Sequence, residues 1–543
     1  MKLLKYLINT IEMKFQPQMG SVKGNQFLLR KIERNVILLA FSVLFVVLTS
    51  CKTTKSAYNI GEAQGAVTFK IIQLNDVYEI APLSGGQYGG MARVAHVRDS
   101  VAKVNPNTYL VMAGDFLNPS LLGAIKVNGE RINGKHMIEV MNAMNFDLVT
   151  FGNHEFDIGE EALQKRINES NFQWTSANVK QKTENGSRPF TLQRSNARET
   201  VNNSHIIMVD DGNGGELKVG FFSVTIPSNS IDFVDYGDIF SEAEKAYYSL
   251  EKNVDIVIGL THLEIEQDIA LTKRLPKLRF IMGGHEHNAM LVSSENAIIA
   301  KADANAKTVY IHTFEFNKVN KNLKIDSRLF PIDEKIASEP KVTEIVARWS
   351  AVLENKISEV VANPNEVIYK ATTPLDATDI ANREIQTNFG DIIGAAMAAS
   401  FNEPVDGALV NGGSFRIDDM LTGDITSIDI FRVLPFGGDV LKVDLTGQLL
   451  IEILDFGESK KGTGAYLQRY GFTQKFDTWF FNDQAINITQ IYSIAFSNYL
   501  LKGYDIPFLT PENPGVKNIY IATTFEPAYD IRGAVIIYIK SLK

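Results

Sequence analysis

A chain of 543 residues holds one cysteine, Cys51, so no disulfide can form within it. Histidine is also scarce, with eight in all, which makes the position of each one informative. Basic charge is not in excess: 54 Lys and Arg stand against 63 Asp and Glu, for a net charge of −9. That balance excludes the basic stripe that tracks a phosphate backbone, and no nucleic-acid partner is expected. Low-complexity tracts and short-period repeats are missing. No apolar run reaches the roughly 20 residues of a comfortable transmembrane helix. What remains is 45% hydrophobic and 22% charged, enough for a globular protein with more than one core.

The apolar run at residues 36–48 follows Lys31 and Arg34 and ends in Leu48-Thr49-Ser50-Cys51. Its length suits a signal-peptide core. Leu-Thr-Ser-Cys resembles a bacterial lipobox, which implies cleavage before Cys51 and a lipid on its sulfur; the alternative is an uncleaved anchor. Residues 1–30 are long for such a signal, so Met13 and Met19 are alternative starts. Residues 52–65 read as a flexible tether, and the body is expected to be exported, facing the periplasm or the cell surface.

Beyond the tether, one design recurs five times. A run of apolar and β-branched residues ends on a carboxylate or an imidazole. Residues 67–74 lead to Asn75-Asp76-Val77-Tyr78-Glu79, and residues 108–113 to Gly114-Asp115. Residues 148–151 lead to Gly152-Asn153-His154-Glu155-Phe156-Asp157. Residues 254–260 end in Thr261-His262, and residues 278–282 in Gly283-Gly284-His285-Glu286-His287. In an α/β protein the carboxyl ends of the strands are where ligands bind. Carboxylate, amide and imidazole at those ends suit divalent cations. Four of the eight histidines fall in these motifs, which argues against chance. Amphipathic stretches at residues 91–101, 135–144 and 241–250 alternate with the strands and predict an α/β sandwich.

In order and spacing these motifs resemble the calcineurin-type metallophosphatase signature. More narrowly, residues 67 to about 508 resemble the bacterial 5′-nucleotidase/UDP-sugar hydrolase family. The resemblance implies a four-layer α/β-sandwich metallophosphatase domain at residues 66–335, after a signal peptide at 1–51 and a tether at 52–65. A linker helix at 336–363 and a C-terminal α/β nucleotide-binding domain at 364–543 would follow. The periodicity of Val342, Ile345, Val346, Trp349, Val352, Leu353 and Ile357 predicts that helix independently. The family's chemistry uses two divalent cations, Zn, Mn or Co. The resemblance gives Asp115 the bridging role, Asn153, His262 and His285 the rest of one cation site, and Asp76 and His287 the other. His154 then matches the catalytic histidine, oriented by Asp157.

The C-terminal half offers Arg383, Asn411, Arg416, Phe436 and Tyr499 as substrate contacts. Guanidinium groups suit phosphate. Arg383 and Arg416 match arginines that hold it in the family, and Phe436 and Tyr499 match the aromatic pair that sandwiches the base. Asn411 is a polar contact in the same pocket. Without the resemblance, core packing explains the aromatics equally well.

Three departures stand out. Asp-x-His of the first motif is Asp76-Val77-Tyr78 here, so a phenol replaces an imidazole ligand. Tyrosine binds metal only when deprotonated, from a reference pKa of about 10, which favours a harder ion such as Fe(III); otherwise Glu79 or water takes the position. A further family arginine is Asp379 here, and the family's Gly-Gly-Asp-Gly is Gly503-Tyr504-Asp505-Ile506. The expectation is a monomeric, metal-dependent phosphohydrolase of nucleoside 5′-monophosphates or related nucleotides. Cyclic-nucleotide phosphodiesterase and nucleotide-sugar hydrolase activities are alternatives, as is a catalytically silent surface lipoprotein that binds a nucleotide or a partner.

Overall fold

The structure is a computed structural model that describes residues 65–194, 197–227, 231–359, 361–417 and 419–542. Cys51 and the apolar run before it lie outside the described residues. Among the described residues, no helix is long and apolar enough to cross a membrane.

The chain opens with β1 (Ala66–Leu74), α1 (Met91–Val104), β2 (Thr108–Met112), α2 (Lys135–Ala143), β3 (Leu148–Thr150), α3 (Glu160–Glu169) and β4 (Gln173–Thr175). These four strands pair in parallel, in that order. Strand and helix alternate because the apolar period switches between 2 and 3.6 residues. The chain then builds a second sheet from β5 (Ser204–Asp210), β6 (Glu216–Thr225), β7 (Ile256–His262), β8 (Phe280–Gly284), β9 (Met290–Ser294) and β10 (Ala297–Lys301). Helices α4 (Ile239–Glu251) and α5 (Ile265–Arg274) connect β6 to β7 and β7 to β8. Finally β11 (Thr308–Asn317) and β12 (Leu323–Pro331) return to the first sheet, where β11 lies antiparallel to β1.

Side-chain alternation explains the layering. Along β1, Val67, Phe69 and Ile71 point one way and pack with Val219, Phe221, Ile258 and Phe280 of the second sheet. Ile72 and Leu74 point the other way, into a core with Val94 and Met137 of α1 and α2. The second sheet's far face, with Phe222 and Ile281, is covered by Ala243 and Leu271 from α4 and α5. Four layers result, helix–sheet–sheet–helix, because both sheets are apolar on both faces. Parallel strands then bring their carboxyl ends to one edge.

Helix α6 (Pro340–Ser358) follows, buried through Val342, Trp349, Leu353 and Ile357, with Trp349 Nε1 donating to Glu139 Oε2 on α2 at 3.0 Å. The rest is a second α/β domain. Its elements include β13 (Val367–Ala377), α7 (Asp379–Glu384), α8 (Asn388–Ala398), β14 (Gly407–Asn411), β15 (Asp419–Thr426), β16 (Val440–Thr446), α9 (Gly447–Glu458), β17 (Leu467–Tyr470), β18 (Ile491–Ser497), β19 (Val516–Ile521) and α10 (Ile531–Ser541). Its sheet runs β17-β14-β18-β16-β19. Gln468 is buried on β17 and fixes the turn after α7: its Nε2 donates to Asn382 O and Ile385 O, and its Oε1 accepts from Thr387 N.

Two polar residues lie between the first domain's layers as a matched pair. Gln73 Nε2 donates to Gly283 O and Ala300 O, which leaves its Oε1 to accept from His312 Nε2 at 2.9 Å. His312 Nδ1 then accepts from Ser327 Oγ. Burial holds this imidazole neutral, with its pKa down at about 3 against 6.5 for a free one. Protonation is therefore easier in the unfolded chain, and stability is lost as pH falls from about 6.5 toward 3, by at most about 1.4 kcal/mol per pH unit for one group. Urea melts at pH 7, 6 and 5 should show a shallower decline for His312→Gln than for wild type. Parallel declines would mean that His312 does not carry this effect.

Candidate active site

The carboxyl ends of β1, β2, β3, β7 and β8 meet at one edge of the two sheets. His262 Nδ1 donates to Ala113 O at 2.8 Å, which turns Nε2 toward the cluster. Nε2 faces Asp115 Oδ2 at 3.2 Å, Asn153 Oδ1 at 3.1 Å and Asp76 Oδ1 at 3.9 Å. His287 Nε2 lies 3.5 Å from Asp76 Oδ1. The His285 ring sits edge-on to His262 with centroids 5.4 Å apart, and the His285 backbone N–H donates to Asp76 Oδ2 at 2.9 Å. Tyr78 points inward as well: its hydroxyl is 3.3 Å from Asp115 Oδ2, 3.5 Å from Asp76 Oδ1 and 3.2 Å from His287 Nε2. The fold thus gathers Asp76, Tyr78, Asp115, Asn153, His262, His285 and His287.

The backbone is strained where these groups converge. Asp76, Asp115 and His285 have positive φ, at 53°, 55° and 86°. Such conformations cost of order 1–3 kcal/mol each in a non-glycine residue and persist only where their surroundings over-determine them. Close loop packing is part of that constraint. A Cβ on Gly152 would collide with Asp115 Oδ1, and one on Gly114 would lie 2.6 Å from Gly152 N. Glu155 supplies the polar part: its buried carboxylate accepts from the N–H groups of Asp115, Phe116, Leu117 and Gly152. It ties the loop after β2 to the loop after β3.

His154 stands at the rim. Its N–H donates to Asp115 Oδ1 at 2.8 Å, and its ring Nδ1 pairs with Asp157 Oδ2 at 2.7 Å. Asn118 Nδ2 donates to the same Asp157 oxygen, which holds the carboxylate in place. Burial alone would lower the His154 pKa, but the Asp115 and Asp157 carboxylates outweigh it and raise it. His262 behaves likewise: against its burial, Asp115 and Asp76 hold it up at about 9. His285 goes the other way, to about 4, through burial and then the neighbouring His262.

These features fit a cation. Ligand atoms of Asp76, Asp115 and His262 lie within 4.8 Å of one another, all buried. Buried carboxylates repel one another unless positive charge lies between them. The donor set of carboxylate, amide oxygen and imidazole suits a divalent transition ion.

The C-terminal domain closes the other side. Arg416, after the Asn411-Gly412-Gly413-Ser414 turn, lies close enough for its charge to act on His154 and to feel Asp157 and Tyr78. Its neighbour is Arg383, which pairs with Asp379 at 2.7 Å. Both guanidiniums keep a buried Nε without a hydrogen-bond partner among the described residues. Two adjacent cations facing an acidic cluster suit a bound anion. Arg416 also lies over the Phe436 ring at 5.5 Å. Tyr499 donates to Asp505 Oδ1 at 3.2 Å, and the Asn411 side chain reaches the same carboxyl. Phe436 is 59% and Tyr499 40% exposed, which argues against ordinary core packing for either. Tyr504 packs on Tyr499 with centroids 5.5 Å apart.

Lys307–Asp419 at 2.9 Å and Arg432–Glu79 at 3.8 Å join the two domains. Asn305 accepts from the N–H groups of Tyr78 and Glu79 and donates to Ile417 O. A cavity of about 320 Å³ opens beside His287, between Lys307 and Thr378, Ile380 and Ala381.

Sequence reasoning missed Glu155, Asp505 and the group Asp268, Glu286 and Lys301 behind the histidines. Glu155 and Glu286 stood inside quoted motifs, and a carboxylate in a strand-end turn was the available signal. Lys301 was signalled only by a cation closing the apolar run at residues 297–300.

Comparison with known proteins agrees with this architecture. The calcineurin-like phosphoesterase family model matches residues 69–289, and the 5′-nucleotidase C-terminal domain model matches residues 367–510. Fold and site together define a hydrolase acting on phosphoester bonds. Both domains of the chain are similar to the corresponding parts of 5′-nucleotidases. The chain is 27% identical over 469 residues to the trifunctional nucleotide phosphoesterase protein YfkN of Bacillus subtilis. That match covers 76% of this chain and 31% of the relative, so the chain spans about a third of that protein's length. It is 25% identical to the human 5′-nucleotidase, over 76% of each chain. The crystal structure of a 5′-nucleotidase precursor from Thermus thermophilus superposes with a TM-score of 0.67, at 22% identity over 88% of this chain and 97% of that one. At that identity the superposition speaks to fold.

Proposed function

We propose that the protein releases phosphate from nucleoside 5′-monophosphates or related nucleotides, as a monomer whose domains divide at residues 335/336 and 363/364. The observation that carries this is the convergence of Asp76, Asp115 and His262 beside the His154–Asp157 pair, within reach of Arg416. Both curated relatives named above act on nucleotides by name. Asp115, Asn153, His262 and His285 would hold one cation, and Asp76, Tyr78 and His287, with Asp115 shared, the other. When bound, such cations polarise an attacking water and neutralise phosphoryl charge. Arg383 and Arg416 bind the phosphoryl oxygens and orient them. Phe436 and Tyr499 hold the base, a contact worth about 1–3 kcal/mol per base. Asp157 fixes the His154 ring by its bond to Nδ1, so that Nε2 delivers a proton to the departing nucleoside oxygen.

Phosphate release from a nucleotide panel with Mn, Zn, Co or Fe tests this reading. Asp115→Asn should fall to background, and His154→Ala by about 10²–10⁴-fold, the usual worth of a general acid. Equal, near-zero release by wild type and both variants would instead favour a silent binding protein. The cavity beside His287 favours a second reading, in which nucleotide-sugars also serve, because it offers room for a group beyond the reacting phosphate. The same panel reports on it.

Tyr78 is proposed to alter the metal preference of its site toward Fe(III), since its hydroxyl lies among Asp76, Asp115 and His287. An iron-loaded protein should then show a visible charge-transfer band that disappears in Tyr78→Phe. A colourless, fully loaded wild type would rule this out.

Export with a lipid on Cys51 is proposed from the Leu-Thr-Ser-Cys motif. Radiolabelled palmitate should enter the wild type in a bacterial host and not Cys51→Ser; equal labelling of both would exclude Cys51 as the site.

A further inference from the structure

Lys301 ends β10, and its side chain is fully buried. Removing an ammonium from water costs several kcal/mol unless its partners compensate. Here Nζ donates to Leu263 O at 2.6 Å, pairs with Asp268 Oδ2 at 2.9 Å and pairs with Glu286 Oε2. Each partner belongs to a different piece of the support beneath the histidines. Leu263 directly follows His262, and Glu286 sits between His285 and His287. Asp268, on α5, accepts from the hydroxyl of Thr261, the residue before His262, at 2.7 Å. The second oxygen of Glu286 accepts from Ile265 N at 2.5 Å, so Glu286 too reaches across to the loop after β7.

Space has been left for this arrangement. A Cβ on Gly283 would lie 2.7 Å from Lys301 Cε, so the glycine two residues before His285 admits the lysine. The segment it serves is the strained one: His285 holds φ at 86°, a conformation that neighbouring contacts must enforce. Glu286, the next residue, is where Lys301 grips.

We propose that Lys301 is a positioning residue for the cation centre. Through Leu263 O and Glu286 it fixes the loop carrying His262 against the loop carrying His285 and His287, so the imidazoles are set before a metal arrives. The proposal rests on the metal-centre reading above. Groups behind metal-ligating histidines are commonly worth 10–100-fold in metal affinity. A lysine that only fills and stabilises the core would lower the melting temperature of the protein without changing the affinity of its folded form.

The test is calorimetric titration of the metal-stripped full chain with Mn²⁺ at 25 °C, on protein shown to be folded. Wild type should bind and Asp115→Asn should not. Lys301→Met should bind 10–100-fold more weakly. Glu286→Gln should weaken binding in the same direction, and the double variant should bind about as the worse single variant does, because both act through one link. Unchanged affinity in folded Lys301→Met, with binding lost in Asp115→Asn, would overturn the proposal. Should Lys301→Met fail to fold, Glu286→Gln decides alone, since it keeps the Lys301–Asp268 pair: weakened binding supports the role and unchanged affinity overturns it. A wild type that binds no Mn²⁺ would sink the metal-centre reading, and the positioning role with it.

Discussion

The carboxylate of Asp115 links the histidine at the rim to the buried cluster behind it. One oxygen accepts the N–H of His154, and the other faces His262 Nε2 and the Tyr78 hydroxyl. Its own backbone is held in the left-handed region by a glycine on each side of the contact and by the Glu155 carboxylate. One of the two buried carboxylates in this cleft is therefore fixed in position from three directions. Buried negative charge of this kind is stable only with a positive counterpart, which His262 supplies as a proton and a bound cation would supply better.

Seen from that carboxylate, the four-layer fold is a means of delivering loops. Parallel pairing of β1, β2 and β3 in one sheet, and of β7 and β8 in the other, turns sequence separation into proximity: Asp76 and His287 lie 3.5 Å apart through side chains. Apolar faces on both sides of each sheet hold the strands at fixed spacing, so loop geometry is inherited from the core rather than built by the loops. The C-terminal domain adds to the cleft two neighbouring guanidiniums and two exposed aromatic rings. The bonds through Asn305 and Lys307 set the distance between the two domains.

How much of this was legible in the sequence follows from the range of each interaction. Strand-end motifs are local: an apolar run, a glycine and a ligand-type residue announce themselves within ten positions, and all five runs proved to be strands. The helix at Pro340–Ser358 was readable for the same reason, from a period. Residues 296–316 form two strands separated by a turn at Ala304–Ala306, where Asn305 takes a positive φ. Local propensity gave no sign of that turn, which exists to bond Tyr78, Glu79 and Ile417. Lys301 was illegible for a related reason. A lysine at a strand end reads as solvated, and its partners Leu263, Asp268 and Glu286 are brought to it only by the folded sheet.

The central claim is that five strand ends enclose a cation. It is met most directly by X-ray data from crystals soaked in Mn²⁺, collected near the manganese absorption edge. The account predicts anomalous density between Asp76, Asp115 and His262, with a second peak beside His287 and Tyr78 if both sites fill. A well-phased map with no anomalous peak within coordination distance of Asp115 would contradict it.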